Sequence, residues 1–174
     1  RHLRTHGARG QLPAHGKFRH AALLRSAIMV RDIFKTTAMA FVNPVNTEGV
    51  MGKGLALEFK KRYPEAFREY EMACRHGTIA PGKCLMSWLP EPGPRMVIQF
   101  PTKTRWRSPS KYEYIDAGLV DLVRLVHMHG ITSIAIPAMG CGLGQLDWRV
   151  VRKKIEAAFE DISGYVNIDL YDPQ

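Results

Sequence analysis

A three-layer α/β/α domain is the fold class this sequence predicts, and two observations predict it. Short apolar, β-branched runs alternate with segments of helical period from about residue 27 to residue 171. That order calls for a sheet with helices on both faces. The 174 residues, 45% of them hydrophobic, suit one compact domain with a full core. The chain shows no internal repeat and no second domain, so residues 27–174 are read as the domain and residues 1–26 as a basic, disordered extension.

Residues 27–34 and 38–45 are compact runs expected to form buried strands. Residues 54–62 and 64–76 read as helices, because Pro64 suits a first helical turn and Gly77 the position after a helix end. Strands are expected at 83–88 and 95–100, separated by a turn through Pro90, Gly93 and Pro94. Tyr112, Ile115, Leu119, Leu122 and Val126 step by three and four residues and share one helical face, closed by Gly130. Residues 131–136 form an apolar strand. Asp147 can cap a helix that buries Trp148, Val151, Ile155, Phe159 and Ile162, and residues 165–171 make a last strand.

The net charge of +9 suggests nucleic acid until its distribution is considered. Residues 1–25 hold six of the 25 cations and none of the 16 acids, so the rest of the chain carries only +3. The same segment holds four of the seven histidines, has no sustained apolar period, and precedes Met29, a candidate start. No apolar h-region follows it, and no run approaches the roughly 18 apolar residues of a membrane helix. Cys74, Cys84 and Cys141 form no CxxC pair, so neither a disulfide framework nor a zinc site is expected. Reduced thiols in a cytoplasmic protein are expected instead.

Three segments carry the chemistry. Residues 43–54 follow the second expected strand, 101–107 follow the strand ending at Phe100, and 137–145 follow Ile136. In open α/β sheets, ligands bind beyond the carboxyl ends of strands. Glycine lets a backbone approach a ligand closely, and helix N-termini present free N–H groups to anions, so a phosphate or diphosphate is expected. Neither nucleotide fingerprint fits. A P-loop needs Gly at Thr47 and Ser or Thr at Gly54, and the dinucleotide motif needs Gly at Gln145.

The combination of Asp32 and Ile33 with residues 42–46, 49–56, 100–103 and 140–144 resembles the macrodomain family, in which the three layers enclose a mixed, mostly parallel sheet. The likeness runs from about residue 28 to about residue 171. Residues 59–64, 108–112 and 115–119 are similar to the branch of DarG-type DNA ADP-ribosyl glycohydrolase antitoxins, related to the terminal ADP-ribose protein glycohydrolases.

The resemblance implies roles for individual residues. Asp32 would accept the adenine amino group, with the Ile33 backbone nearby. Asn46 would contact the distal ribose as a catalytic partner, while Asn43 satisfies backbone groups at the strand end. Gly49, Met51, Gly52 and Gly54 would wrap the distal ribose and diphosphate. Gly140, Cys141, Gly142, Leu143 and Gly144 would cradle the diphosphate through backbone N–H groups, with Cys141 a packing residue. Tyr171 would set an aromatic ring against adenine.

Lys103 would be the catalytic residue, a covalent nucleophile facing the distal ribose. A free lysine titrates near 10.4, so this role needs desolvation or a neighbouring cation. The protein glycohydrolases carry a catalytic aspartate where this chain has Gly144, a departure that favours ADP-ribosylated thymidine in DNA over a protein ester. Arg105, Trp106, Arg107 and Lys111 interleave cations with an aromatic and are the DNA-contact candidates, suited to a single strand. No metal or cofactor is implied, ADP-ribose being ligand or product.

The expected function is therefore removal of ADP-ribose from thymidine in DNA by a monomer, reversing a DarT-type toxin. Direct toxin binding, which in DarG proteins involves a C-terminal region, is not expected of these residues. The alternatives are a non-catalytic ADP-ribose reader, a hydrolase of protein-linked ADP-ribose esters, and a non-specific nucleic-acid binder acting through the tail.

Overall fold

The computed structural model describes residues 31–174; the basic extension and residues 27–30 lie outside the described residues. The elements in chain order are β1 (Ala40–Val45), α1 (Gly54–Arg62), α2 (Pro64–Arg75), β2 (Leu85–Trp88), β3 (Met96–Pro101), α3 (Tyr112–Met128), β4 (Ser133–Ile136), α4 (Trp148–Phe159) and β5 (Asn167–Leu170). Short 3-10 turns occupy Ile33–Lys35 and Glu160–Ile162.

The five strands form one sheet in the order β2-β3-β1-β4-β5. β3, β1, β4 and β5 run parallel, and β2 pairs antiparallel with β3 at one edge. Central β1 is paired along its length with β3, from Ala40 opposite Met96 to Val45 opposite Pro101. Both strands are buried on both faces, as expected of parallel strands covered by helices.

Alternation along β1 divides the core. Ala40 and Val42 join Met96, Ile98 and Phe100 of β3 beneath α3 and α4, whose buried residues include Ile115, Leu122, Val151, Ile155 and Phe159. Phe41 and Val97 point to the other face, where Phe59 of α1, Ile33 and Tyr171 pack. A third cluster of Val45, Met51, Tyr70, Ala73 and Ile79 fills the space under the loop after β1. Burial of this apolar surface, at about 25 cal/mol per Å², is the main stabilising contribution.

The sequence reading of residues 27–34 as a strand needs correction over the residues described. The Asp32 carboxylate accepts a hydrogen bond from Phe34 N at 2.9 Å and caps the Ile33–Lys35 turn, so this stretch closes on itself instead of joining the sheet. The expected strands at 131–136 and 165–171 shorten to the four-residue β4 and β5. Asp147 caps α4 as expected, accepting from Arg149 N at 2.8 Å. Its carboxyl group lies below the ordinary aspartate range, chiefly through the hydrogen bond with the Arg149 side chain.

Candidate active site

β1, β3 and β4 are parallel neighbours, so the segments leaving their carboxyl ends emerge at one edge of the sheet. Loop 1 (residues 46–53) follows β1, loop 2 (102–111) follows β3, and loop 3 (137–146) follows β4. Direct hydrogen bonds tie them together. Thr47 N and Oγ1 both donate to Thr104 O at 3.1 Å, and Trp106 N donates to Glu48 Oε2 at 2.9 Å, joining loops 1 and 2. Ser110 N donates to Gly144 O at 3.0 Å, joining loops 2 and 3.

Lys103 stands in loop 2 immediately after β3, half-buried. Burial alone lowers its amine below the ordinary lysine range, and no ion pair holds it among the described residues. Desolvation favours the neutral amine, the form with a lone pair for attack on an electrophilic carbon. Arg105, Trp106 and Arg107 continue the loop in exposed positions, and the Arg107 guanidinium lies 4.4 Å from the centre of the Trp106 ring. Lys111 is exposed beside Tyr114, its ammonium 5.3 Å from that ring's centre.

Asn46, expected against the ribose, has its side chain bonded within loop 1 and to Tyr70. The residue is 5% exposed. Its Oδ1 accepts from Glu48 N, Val50 N and Tyr70 Oη, and its Nδ2 donates to Val50 O at 2.7 Å. The side chain thus staples loop 1 and keeps one N–H beyond these bonds. Met51, expected around the ligand, buries its side chain under the loop at 2% exposure, so only its backbone can line a cleft. Gly49, Gly52 and Gly54 lie in loop 1 and at the start of α1, where Lys53 is the cap residue and supplies no side-chain cap bond. The first N–H groups of α1 are therefore available to an anion.

Loop 3 closes on itself through Leu146 N to Gly140 O at 2.8 Å and Gln145 N to Gly142 O at 3.0 Å. Gly142 and Leu143 form its exposed tip, whereas Gly140 and Gly144 are buried against Ser110. A Cβ built at 144 would run into Ser110 Oγ and lie 2.5 Å from Gly140 O, so this position has no room for a carboxylate side chain. Burial pushes the Cys141 thiol up to about 11, which suits a packing residue and not a thiolate nucleophile.

At the β5 end of the same edge, Asp32 uses Oδ1 for its own turn, leaving Oδ2 without a hydrogen-bond partner among the described residues. Ile33 buries its side chain, so its backbone alone can meet a ligand. Tyr171 is 6% exposed, with the Arg31 guanidinium 4.3 Å from its ring centre and fixed by Asp169 at 2.9 and 2.7 Å. The open aromatic face expected at Tyr171 is thus occupied by Arg31. Asn43 also differs from expectation: its Nδ2 donates to Gln99 Oε1 at 2.8 Å within the core, not to the strand-end backbone.

Thr47, Glu48, Tyr70 and Ser110 escaped assignment from sequence because their partners lie far along the chain. Among the described residues, no group of three or more His, Cys, Asp and Glu side chains is placed to hold a metal ion. A surface hollow of about 550 Å³ begins at Asp147 and runs along α4 beside Arg149, Val150 and Lys153, but includes no residue of loops 1 to 3.

A mixed sheet whose glycine-bearing loops leave three parallel strand ends on one edge, with Lys103 in the loop between, defines a three-layer α/β/α domain. The Macro domain family model matches residues 42–155, and the chain belongs to that family. The DNA ADP-ribosyl glycohydrolase of Mycobacterium tuberculosis is 46% identical over 143 residues, covering 82% of this chain and 40% of that protein. The macrodomain of Mycobacterium tuberculosis DarG matches with a TM-score of 0.81 at 45% identity, covering 83% of this chain and 95% of that one. Thermosipho africanus DarTG in complex with ADP-ribose matches with a TM-score of 0.76 at 30% identity, covering 82% and 40%. The chain thus spans about 40% of the length of the mycobacterial DNA ADP-ribosyl glycohydrolases it matches.

Proposed function

We propose that this macro domain binds ADP-ribose and removes it from thymidine in DNA, with Lys103 as the nucleophile. The observation that carries the reading is Lys103 itself: a half-buried amine without an ionic partner among the described residues, depressed by desolvation, beside two glycine loops suited to a diphosphate. The neutral amine attacks the anomeric carbon of the distal ribose. A C–N bond forms, the bond from that carbon to thymidine breaks, and the leaving base takes the electron pair and a proton. Water then displaces the amine and releases ADP-ribose. No step calls for a cofactor.

In this reading Asp32 Oδ2 accepts the adenine amino group and the Ile33 backbone lies beside it. Tyr171 acts beneath Arg31, not as an open platform. The backbones of Gly49, Met51, Gly52 and Gly54 and of residues 140–144 enclose the distal ribose and diphosphate, while Asn46 holds loop 1 in shape. Modified DNA is favoured over a protein ester by the steric exclusion of a carboxylate at Gly144. It is also favoured by charge: residues 101–111 hold Lys103, Arg105, Arg107 and Lys111 and no acid. Arg105, Arg107 and Lys111 around a half-exposed tryptophan suit a single strand, through phosphate pairing and base stacking.

The similarity to DarTG makes a DarT-type transferase the proposed source of the modification. A monomer in the cytoplasm, where its three cysteines stay free thiols, completes the reading. Release of ADP-ribose from thymidine-modified single-stranded DNA by the native chain, and none by Lys103→Ala, is the expected result. ADP-ribose binding without release by the native chain would instead make it a reader. Release from modified protein in preference to DNA would favour the ester hydrolase.

A further inference from the structure

We infer that Ser110 is a positioning residue for Lys103, its backbone N–H tied to the glycine loop after β4 and its hydroxyl bonded to the segment that carries the lysine. The inference rests on the reading of Lys103 as the nucleophile. Ser110 is 5% exposed. Its Oγ donates to Oγ1 of Thr102, the residue before Lys103, at 3.1 Å. Thr102 is itself buried and pinned at the strand end by Thr102 N to Val45 O at 2.9 Å.

The other side of Ser110 meets loop 3. Its N–H donates to Gly144 O, and its side chain occupies space that Cβ atoms at 140 and 144 would need: a Cβ at 140 would lie 3.1 Å from Ser110 Cβ, and one at 144 would run into Oγ. Among the described residues, Ser110 is the one position in 101–111 that hydrogen-bonds to 137–146. Beyond the lysine, Thr104 O is held by Thr47. Lys103 is therefore suspended between two anchored threonines, and the anchor at Thr102 leads through Ser110 to the proposed diphosphate cradle. A nucleophile gains rate from being held within reach of the reacting carbon, and a displacement of about 1 Å can cost on the order of 100-fold.

The test compares the native chain with Ser110→Ala, Thr102→Val, the double variant and Lys103→Ala. Three quantities are read: single-turnover release from thymidine-modified single-stranded DNA, calorimetric ADP-ribose affinity, and the Lys103 Nζ titration followed by NMR. Each single variant is expected to slow release about tenfold, a loss of fixed geometry. The double variant should be no slower than the slower single one, because both remove the same hydrogen bond. ADP-ribose affinity should stay within about threefold for Ser110→Ala, whose backbone bond to Gly144 survives. The Lys103 titration should move up towards the ordinary lysine value, a change readable without turnover. Native turnover with an unchanged titration in Ser110→Ala overturns the inference while leaving the hydrolase reading intact. So do fully multiplicative losses in the double variant. Native turnover in Lys103→Ala overturns the lysine reading and the role of Ser110 with it.

Discussion

The Tyr70 phenol reaches across from α2 to Asn46, its Oη 2.8 Å from the Asn46 carbonyl oxygen and 3.1 Å from Oδ1. This contact anchors loop 1 from beneath, and burial raises the phenol well above the ordinary tyrosine range. Replacing Asn46 by Ala leaves several buried partners unmatched and should destabilise the domain by about 2–4 kcal/mol, read from urea unfolding. Because the folded phenol titrates above its unfolded value near 10, its contribution is fully present below about pH 10 and is lost as pH rises further. Tyr70→Phe should therefore flatten the alkaline loss of stability, and an unchanged alkaline limb would contradict this assignment.

Lys103 makes a prediction of opposite sign in pH. Its folded amine titrates below the ordinary lysine value, so the reactive neutral form grows as pH rises through that lowered value. kcat/KM for release should climb with pH, with a midpoint below about 10.4, since this parameter reports the free enzyme. Lys103→Arg, which keeps the charge but cannot deprotonate, should lack release across the range. Turnover by the arginine variant would exclude amine attack.

Loop 2 should read DNA by charge and stacking. Neutralising Arg105, Arg107 or Lys111 should reduce the salt slope of single-strand binding by about 0.7 for each phosphate left without its cation, with little change between sequences. Trp106 is 43% exposed, and Trp106→Ala should weaken binding by about 1–3 kcal/mol. Salt titrations with unmodified oligonucleotides measure both, and an unchanged slope in a triple variant would remove loop 2 from the DNA path.

Gly144→Ala inserts a methyl group against Ser110 Oγ and Gly140 O. Overpacking of this kind costs about 1–3 kcal/mol. Because the displaced atoms belong to loop 3, ADP-ribose affinity should fall along with thermal stability. Calorimetry and a melting curve should show both, whereas native affinity would mean that loop 3 does not shape the ligand site.

Much of this arrangement was legible in the chain. The stripe through Tyr112, Ile115, Leu119, Leu122 and Val126 marked α3, and Asp147 marked the start of α4, because helical period and capping are local signals. The glycine runs at 49–54 and 140–144 were likewise visible by composition, whereas Lys103 stood out only through the resemblance to macrodomains. Residues 31–34 misled, because their apolar content matches a strand while the Asp32 cap, a competing local bond, closes a turn.

By itself the sequence determined the layer order, the helical faces and which three segments would leave the strand ends, all consequences of short-range periodicity. Only the tertiary structure decided which polar groups in those segments bond to one another and which stay free. Parallel register brings Thr47 beside Thr104, 57 residues away, and Ser110 beside Gly144. It turns Asn46 and Met51 inward, covers Tyr171 with Arg31, and leaves the Lys103 amine half-buried without an ionic partner among the described residues. Such pairings arise when strands far apart in the chain lie side by side, and no local pattern encodes them.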